Sequence, residues 1–539
     1  MALDMTTEQK ELGKANFTEV TDSLTRRGFM KSMVAAAAVT PIAAAAYFGY
    51  ESIKGKPVKA ALIGCGDEGG VLLGEHNPEY LQFVAACDIR PYNKTRILNG
   101  DPKVALRKGF AKVYGADYAK NIGDKHFYES WQELLEKEKD IEAVVIALPL
   151  HLHAPVAIAC MKAGKHVLCE KLMARTIGAC KEMIAVADDP KVDRILTIGH
   201  QRHYSMLYAH AVEVMNSGVL GDVKHIRALW HRNFSWPWSP DANGPELAVG
   251  VQQPQLRDGW YQPVFKMDHD ALKDSVTKYG YDNVEQLIRW RLDRKTGGGL
   301  MAELGSHQLD ASSIFLGKVH PIAVTGVGGR YFFGPGKNQR DIDDHIFLTF
   351  EFPGKNYPKD PSDVVIVSYS SISTNGFEAY GECLMGSRGS LVVEGEQSAM
   401  LYTEKNPTAK GANLPRSTNV SVSTVAANKP ALEASSTWGP AAPTAATAAG
   451  PAGAPAAAAS ISRGYKEEME DFAYCIRRWN QGMSSDRKMT RCPGRVAMAD
   501  AIIAFTANLA MTRKQRIEFK EGWFDAESAE VPEKDGELA

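Results

Sequence analysis

The sequence lacks the features of a protein held together by disulfides or metal, or built to bind nucleic acid. Eight cysteines among 539 residues are too few for a disulfide framework, and no CxxC pair or Cys/His cluster has the spacing of a zinc site. Cys65, Cys87 and Cys169 lie in apolar runs, where cysteine is usually a small hydrophobic residue. The formal net charge of −2 gives no electrostatic reason to expect a nucleic acid as partner. We therefore expect no metal site and no nucleic-acid binding.

Long apolar runs are also absent, apart from a short one in the first 50 residues. Residues 23–31, SLTRRGFMK, have the order of residues that the twin-arginine translocase recognises. The alanine-rich run 33–46 follows, too short for a comfortable membrane span, and 44–46 offer small residues to a signal peptidase. We expect residues 1–50 to be a leader that directs export to the periplasm, with the translocase as a transient partner. A leader that is not cleaved would tether the protein to the membrane, and an accidental arginine pair before a core helix is the alternative.

Beyond the leader, the pattern of apolar runs predicts an α/β protein with two domains. Over 56–189, short β-like runs alternate with helical patterns, which is typical of a parallel sheet and predicts a Rossmann dinucleotide-binding domain. Over 190–412, longer β-like runs are separated by few helices, which predicts an α+β substrate-binding domain with a large, open, mostly antiparallel sheet. An insertion rich in Trp, Tyr, Pro and Gln, 233–298, interrupts this second domain.

The C-terminal part has three predicted sections. Residues 413–462 consist mostly of Ala, Pro, Thr, Ser and Gly, and cannot bury enough surface to offset their ordering entropy, so we expect a disordered surface excursion. Residues 463–520 return to helical periodicity and predict two helices that pack back against the body. Residues 521–539 are expected to form a tail.

A glycine-rich loop follows the first predicted strand and opens a helix. Gly64, Gly66 and Gly69 have the GxGxxG spacing that allows a tight turn and a close approach of a pyrophosphate to a helix N-terminus. Asp88 ends the next strand, where an acid binds the adenosine ribose and favours NAD, although Arg90 keeps NADP open. The alternative is a glycine-rich turn without a nucleotide. Within the loop, we also assign Asp67 and Glu68 to the cofactor.

Further motifs occur in a fixed order along the chain. They are PLHLH at 149–153, GKHVLCEK at 164–171, GHQR at 199–202, SGVLG at 217–221, GGLMAELGSHQLD at 298–310 and ECLMGSRGSL at 382–391. Together with the glycine loop they resemble the Gfo/Idh/MocA oxidoreductase family, which includes glucose-fructose oxidoreductase and inositol dehydrogenase. The resemblance implies an NAD- or NADP-dependent enzyme with a carbohydrate substrate, and a homo-oligomer formed through the open sheet.

The resemblance also implies catalytic roles. Lys171 matches the family lysine that contacts the nicotinamide ribose and the reacting oxygen, and burial beside a cationic ring would lower its pKa. His307 matches the catalytic histidine and Asp310 the acid three residues later, while Glu303 stands where relatives usually have Asp. Helical spacing places Glu303, His307 and Asp310 on one face, directed into one pocket. Without the resemblance, the same trio would equally suit a solvated acidic face.

Other matches are less specific. Tyr204 resembles a tyrosine that hydrogen-bonds the reacting oxygen, and Arg202 either lies beside the cofactor or supports the structure. The family's Glu-Lys-Pro is Glu170-Lys171-Leu172 here, and loss of the proline is expected to shift the lysine or relax its turn. The remaining residues that we assign to the cofactor site are Pro149, His153 and Glu170.

Several aromatic residues lie in or near the insertion. Aromatic faces stack on sugar rings, so a carbohydrate-binding rim is one interpretation, and burial at a subunit interface is the other. The residues concerned are Trp230, His231, Trp236, Trp238, Trp260 and Tyr261.

Three functions remain open at this point. The first is an exported NAD(P)-dependent oxidoreductase of a sugar, polyol or sugar derivative, with NAD favoured. Because free nicotinamide cofactor is scarce outside the cytoplasm, such an enzyme is expected to hold its cofactor tightly and recycle it. The second is a glycoside hydrolase that uses retained NAD for a transient oxidation at C3, an exception to the two-carboxylate mechanism. The third is a non-catalytic sugar-binding protein with the same fold.

Overall fold

The computed structural model describes residues 5–29, 48, 56–404, 463–482 and 490–536. The apolar run 33–46 of the predicted leader and the Ala/Pro-rich stretch 413–462 lie outside the described residues. The bounds of the helices are α1 Thr7–Phe29, α2 Asp67–Glu75, α3 Pro91–Asn99, α4 Gly109–Tyr114, α5 Ala116–Lys125, α6 Trp131–Lys137, α7 His153–Lys162, α8 Ile177–Asp188, α9 Met206–Asn216, α10 Lys266–Leu272, α11 Val284–Ile288, α12 Ser306–Phe315, α13 Tyr465–Asn480, α14 Gly494–Arg513 and α15 Glu521–Phe524.

The N-terminal domain contains a six-stranded parallel sheet with the order β3-β2-β1-β4-β5-β6. Its strands are β1 Val58–Ile63, β2 Leu81–Cys87, β3 Phe127–Tyr128, β4 Ala143–Ile146, β5 His166–Glu170 and β6 Leu196–Gly199. Helices cover both faces, which is why the strands are almost continuously apolar. The strand order reverses between β1 and β4, and the crevice at their carboxyl ends is where such sheets bind ligands. The Rossmann prediction is confirmed.

The predicted end of this domain was too early. The strand β6 pairs with β5, so that Val167 lies opposite Leu196 and Glu170 opposite Gly199. The sheet therefore needs residues beyond 189, and the first domain extends to Gly199.

The C-terminal domain contains an eight-stranded sheet with the order β13-β12-β11-β7-β10-β9-β8-β14. Its strands are β7 Val223–His231, β8 Ala323–Gly329, β9 His345–Pro353, β10 Val364–Ile372, β11 Tyr380–Gly386, β12 Gly389–Glu394, β13 Ser398–Thr403 and β14 Ile517–Glu518. Only β7 and β10 pair in parallel among these strands. Burial alternates along β9 and β10 because one face packs under helices and the other is open. The mostly antiparallel open sheet is therefore confirmed.

The insertion 233–298 folds as a small unit of its own. It contains α10 and α11 and buries a core that includes Val264, Leu272 and Leu287. Ile89, which follows β2 of the first domain, packs against this core. The insertion therefore contacts the Rossmann domain instead of lying apart from it.

Helices α13 and α14 pack back on the body, in agreement with the pattern of the sequence. Helix α13 contacts the Rossmann sheet, and α14 packs against α8, α12 and β8. Among the described helices, α14 alone is long and apolar enough to cross a membrane, but most of it is buried inside the structure, as in the core helix of a folded domain.

Both ends of the described chain are attached to this body. Within α1, the side chain of Asn16 donates to the carbonyl of Leu401 in β13 at 3.1 Å. Near the other end, Trp523 is buried, and the ammonium of Lys181 donates to the carbonyls of Gly522, Ser528 and Glu530. The segment expected to be a tail is therefore packed as far as its described residues extend.

All eight cysteines are buried and free. They serve as small hydrophobic residues, as the sequence predicts for Cys65, Cys87 and Cys169.

Helix α13 carries a buried carboxyl group that supports a test by titration. Glu468 is fully buried, and neither carboxyl oxygen has a hydrogen-bond partner among the described residues. Burial first, and then the carboxyl groups of Glu170 and Glu68, hold the pKa of Glu468 well above its ordinary value. A group with a raised folded-state pKa stabilises the fold at low pH, and this contribution is lost as the pH rises through that pKa.

We therefore predict that the melting temperature of Glu468→Gln falls less steeply than that of the wild type as the pH rises above about 5. Glutamine keeps the shape of the side chain but cannot ionise. The substitution should also raise the melting temperature near neutral pH by about 2 °C or more. Calorimetry over a pH series measures both effects, with the exposed Glu79→Gln as the control. Identical pH slopes for Glu468→Gln and the wild type would contradict the account.

Candidate active site

A cavity of about 820 Å³ lies where the carboxyl ends of the Rossmann strands meet the C-terminal domain. Its walls include the glycine loop with the ends of β2, β4 and β5, the helix that carries Glu303 and His307, the insertion, strands β7 and β11, and the segment that leads into α13. The cleft therefore runs continuously from the predicted cofactor site to the predicted substrate site.

The three glycines of the loop have different surroundings, which explain the absence of a side chain at each position in different ways. Gly64 has φ +96°, and a Cβ there would lie 2.2 Å from the carbonyl oxygen of Ala147. A Cβ on Gly69 would lie 2.0 Å from the carbonyl oxygen of Gly64. A Cβ on Gly66, in contrast, would meet nothing nearer than Asn93 Nδ2 at 3.9 Å. The first and third glycines thus allow the turn and the helix packing, and the second leaves open space at the N-terminus of α2.

This geometry fits a nicotinamide dinucleotide. The open space at Gly66 lies at the start of α2, where backbone N–H groups and the helix dipole favour a pyrophosphate. Asp88 lines the same cavity, with Oδ2 accepting from the backbone N–H of Cys65 at 2.8 Å. Pro149 and His153 lie along the cavity wall at the end of β4. The ring nitrogens of His153 are 2.8 Å from the carbonyl oxygens of Leu148 and Leu172, so this side chain joins two loops of the cofactor site.

Arg90 is not free to bind a ribose phosphate. Its Nε and Nη2 both lie 2.9 Å from Oδ2 of Asp268, a carboxylate of the insertion that is fully buried. Asp67 is likewise occupied, since Oδ1 lies 2.8 Å from Arg96 Nη1 and 3.1 Å from Arg107 Nη1. Burial alone would raise the pKa of Asp67, but these two guanidinium groups lower it well below its usual range. The sequence could not reveal either pairing.

Lys171 connects the two domains at the floor of the cavity. It follows β5, and its Nζ donates to the carbonyl oxygens of Ala302 at 3.3 Å and Glu303 at 2.8 Å. The peptide bond between Lys171 and Leu172 is cis. Burial lowers the pKa of Lys171, although the carboxylates of Glu303 and Glu170 act in the opposite direction. Lys171 thus lines the cavity, although Leu172 stands where the family has proline.

The helix that follows the Gly-Gly-Gly turn begins with a π-helical turn, Met301–Gly305, before continuing as α12. Glu303 and His307 both line the cavity. Asp310 does not, because its carboxylate pairs with His203 and Lys318 on the side of α12 away from the cavity. The prediction that all three carboxylate and imidazole groups share one pocket therefore fails for Asp310.

Glu303 carries a charge that the cavity stabilises. Its Oε2 accepts from Arg291 Nε at 2.9 Å. Burial would raise the pKa of Glu303, but the cationic groups of Arg291 and Lys171 outweigh it and hold the pKa below its ordinary value. Glu303 is therefore an ionised carboxylate between two cations.

His307 is a buried neutral imidazole. Burial, and then the charges of Lys171 and Arg202, hold its pKa well below the ordinary value. Its Nδ1 has no hydrogen-bond partner among the described residues. The ring lies 5.5 Å from the indole of Trp230 at the substrate end of the cleft. An unprotonated ring nitrogen in this position can accept a proton from a bound hydroxyl group.

Asp310 belongs to a charged network behind the cavity. Its Oδ1 lies 2.8 Å from His203 Nε2 and 3.0 Å from Lys318 Nζ. Asp310 also forms, with His200 and Asp500, a buried group whose ligand atoms are close enough to hold a metal ion. The ammonium of Lys318 lies 3.3 Å from Asp500 and already supplies positive charge to both carboxylates. This network supports α12 from behind and does not touch the reacting space.

Tyr204 and Arg202 are also placed behind the cavity. The hydroxyl of Tyr204 accepts from the backbone N–H of Cys492 at 3.1 Å, so it points away from the predicted reacting oxygen. Arg202 Nη1 donates to Glu382 Oε1 and to the carbonyl of His307, both at 2.7 Å. Arg202 therefore positions the helix that carries His307, and it does not line the cofactor site.

Glu68 and Glu170 form an acidic zone beside Lys171. Each has one buried carboxyl oxygen without a hydrogen-bond partner among the described residues. Burial raises the pKa of Glu170 far above its usual range, and the carboxyl group of Glu68 adds to the effect. Burial also raises the pKa of Glu68, although Arg463 and Lys171 oppose it. Both groups therefore ionise less readily than exposed glutamates.

Sequence reasoning missed residues from distant parts of the chain. Arg463 and Tyr465 line the cavity from the start of α13, and Tyr380 lines it from β11. Only the periodicity of α13 was available as a signal, and it does not specify which side chains reach the cleft.

Of the aromatic residues proposed as a sugar-binding rim, Trp230 lines the cavity and stacks on Tyr380 with ring centroids 4.5 Å apart. Trp260 and Tyr261 are buried, and Trp236 is 64% exposed. These aromatic side chains do not form one continuous rim.

Comparison with protein families assigns both domains. Residues 58–200 match the model described as an oxidoreductase family with an NAD-binding Rossmann fold, and residues 275–392 match the GFO/IDH/MocA C-terminal domain. The two matched segments thus resemble the two domains of the Gfo/Idh/MocA oxidoreductases. The N-terminal domain matches an NAD-binding Rossmann domain.

Two curated relatives match parts of the chain. A levoglucosan dehydrogenase of Pseudarthrobacter phenanthrenivorans is 31% identical over 147 residues, which cover 27% of this chain and 36% of the relative. A glycosyl hydrolase family 109 protein of Stenotrophomonas maltophilia is 30% identical over 226 residues, covering 40% of this chain and 45% of the relative. The chain therefore spans less than half the length of either relative.

A solved structure shows the same fold over most of the chain. It is an inositol dehydrogenase homologue from Azotobacter vinelandii in complex with NADH and myo-inositol, with a TM-score of 0.53 and 15% sequence identity. The likeness covers 86% of this chain and 98% of that one.

The different surroundings of Gly66 and Gly69 give a matched pair of variants. We predict that Gly66→Ala leaves the melting temperature of the nucleotide-free protein unchanged and weakens NAD binding about 10-fold or more, because the methyl group occupies the space for the pyrophosphate. Gly69→Ala should instead lower stability by about 1–3 kcal/mol, because its methyl group meets the Gly64 carbonyl. Thermal unfolding and nucleotide titration separate the two effects. Equal losses of stability in both variants would contradict these roles.

Proposed function

We propose that this protein is an exported, NAD-dependent oxidoreductase that removes hydride from a sugar, polyol or sugar derivative and retains its cofactor between turnovers. The observation that carries the proposal is the convergence of Lys171, Glu303 and His307 on the cavity that also contains the glycine loop and Asp88. The levoglucosan dehydrogenase relative supports a carbohydrate substrate.

Different residues of the site bind different parts of the cofactor. The glycine loop and the N-terminus of α2 bind the pyrophosphate, and Asp88 binds the adenosine ribose. NAD is favoured over NADP because Asp88 would repel a ribose phosphate and Arg90 is committed to Asp268. Bound NAD supplies the hydride acceptor.

The proton released by the substrate hydroxyl group needs a base. His307, which is neutral and lines the cavity, accepts this proton. Lys171 has a lowered pKa, so its ammonium holds the reacting oxygen or gives up a proton closer to neutral pH than an ordinary lysine. Glu303, ionised and bound to Arg291, stabilises positive charge on Lys171 and offers a carboxylate to substrate hydroxyl groups.

Export would require the enzyme to retain its cofactor. The twin-arginine motif at 23–31 supports transport of a protein that folds around its cofactor in the cytoplasm. A nucleotide that dissociated outside the cytoplasm would be lost. The enzyme is therefore expected to regenerate its cofactor by coupling two half-reactions or by oxidising and reducing one substrate.

A single-turnover experiment tests the proposal. Purified protein, with no added nucleotide, is mixed with a panel of aldoses and polyols while the absorbance of reduced nicotinamide is followed. We predict reduction of the bound cofactor by one class of sugar and re-oxidation by a carbonyl compound. The rate should rise with pH and level off below the ordinary lysine pKa of 10.5, because deprotonation of Lys171 assists the reaction. A protein with bound cofactor that no carbohydrate reduces would contradict the proposal.

Lys171→Met should slow this reduction about 100-fold or more, in the range of lost acid–base catalysis. Lys165→Met is the matched control. The ammonium of Lys165 also donates to two carbonyls, those of Lys139 at 3.0 Å and Ile141 at 2.8 Å, but it lies outside the cavity. Equal losses in the two variants would show that the lysine of the cleft has only a structural role.

The second candidate function is an NAD-dependent glycoside hydrolase. The glycosyl hydrolase family 109 relative favours it, and His307 can serve as the base for the elimination step that follows oxidation at C3. Release of free sugar from an aryl glycoside, without net formation of reduced cofactor, would favour this function over net oxidation.

Export is tested separately. Replacing Arg26 and Arg27 by lysine, as R26K/R27K, should retain the protein in the cytoplasm, because the translocase reads the arginine pair. Fractionation of cells expressing the full chain measures the distribution, with Lys31→Arg as a control that keeps the arginine pair. Normal export of the double variant would contradict the twin-arginine route.

A further inference from the structure

The insertion reaches the adenosine end of the cleft. Ile89, directly after Asp88, packs into the core of the insertion. Three residues later, in α3, the ring of Tyr92 lies 4.4 Å from the ring of Phe265 at the start of α10. The part of the Rossmann domain that follows β2 is therefore covered by a segment of the other domain.

A buried ion pair fixes this contact. Asp268 in α10 is fully buried, and its Oδ2 lies 2.9 Å from both Nε and Nη2 of Arg90. Its Oδ1 accepts from the backbone N–H of Tyr92 at 2.9 Å. A carboxylate that is satisfied by three donors from the opposite domain is costly to separate, because both charges would be left unpaired. The pair thus acts as a latch between α3 and α10.

The insertion also supplies one wall of the cavity itself. Lys278, Tyr279, Gly280 and Tyr281 line it together with Asp88. The ring of Tyr281 makes an edge contact with His151, 5.6 Å between centroids, after β4. The wall therefore extends across the carboxyl ends of β2 and β4, over the place where the ribose and base of a dinucleotide bind.

We propose that residues 262–291 of the insertion form the outer wall of the adenosine site, and that the Asp268–Arg90 latch limits the rate at which the nucleotide leaves. This inference rests on the retained cofactor of the proposed function and assigns the retention to named residues. The adenosine half is enclosed between Asp88 and the segment 278–281, so departure requires the latch to open. The burial of Trp260 and Tyr261 agrees with a wall, and not with an aromatic sugar-binding rim.

Nucleotide exchange on the purified holoprotein tests the latch. Bound NAD is replaced by labelled NAD in excess, and the release rate is compared among variants. We predict that Asp268→Asn, which keeps the size of the side chain but loses its charge, releases NAD about 10-fold faster or more, a change of about 1.4 kcal/mol. An unchanged release rate in a folded Asp268→Asn protein would overturn the proposal.

The control is a second ion pair between the same two domains. Lys103 pairs with Asp241 of the insertion, and both side chains are largely exposed. Lys103→Ala should leave the release rate as in the wild type, because exposed pairs contribute little. Equal acceleration by Lys103→Ala would show that any loosening of the insertion has the same effect, and would remove the special role of the latch.

Hydrogen exchange on the wild-type chain keeps the proposal testable if Asp268→Asn does not fold. Addition of NAD to nucleotide-stripped protein should slow amide exchange in 262–291 as well as in the glycine loop. Protection of the glycine loop alone would refute the outer wall while leaving the proposed function intact. A chain that binds no nucleotide would instead contradict the proposed function, and the inference with it.

Discussion

The buried ammonium of Lys171 fixes the two domains in the arrangement on which the cleft depends. Lys171 directly follows the Rossmann strand β5, and its ammonium donates to two carbonyl groups of the π-helical turn that carries Glu303. A desolvated charge is costly unless its hydrogen bonds are satisfied, so separating the domains would leave this ammonium unpaired. The turn is therefore fixed relative to the glycine loop, and with it the positions of Glu303 and His307.

The charges around this lysine are divided into two zones with different chemistry. On one side, burial raises the pKa values of Glu68 and Glu170, which makes negative charge beside the glycine loop less favourable. On the other side, Arg291 and Lys171 keep Glu303 ionised. Burial, together with the charges of Lys171 and Arg202, keeps His307 neutral and able to accept a proton. One cleft can therefore bind an anionic nucleotide and still contain a base.

The sequence was sufficient for those parts of the site that depend on local motifs. Gly66, Asp88 and Lys171 each follow a strand, so their positions followed from the pattern of a parallel sheet. Asp310 could not be placed, because its partners His203 and Lys318 come from other parts of the fold. The role of Arg90 depended on Asp268, which lies 178 positions away in the sequence. Partners so distant in the chain meet only through the tertiary fold, and single-sequence patterns do not contain them.

The amount of nucleotide that the purified protein carries tests the central claim most directly. Denaturing the purified protein and measuring NAD and NADP in the supernatant by absorbance and mass gives the ratio of cofactor to chain. The account predicts close to one NAD per chain, retained through purification without added nucleotide. A protein that is isolated empty and cannot be loaded with either nucleotide would contradict an oxidoreductase that keeps and recycles its cofactor.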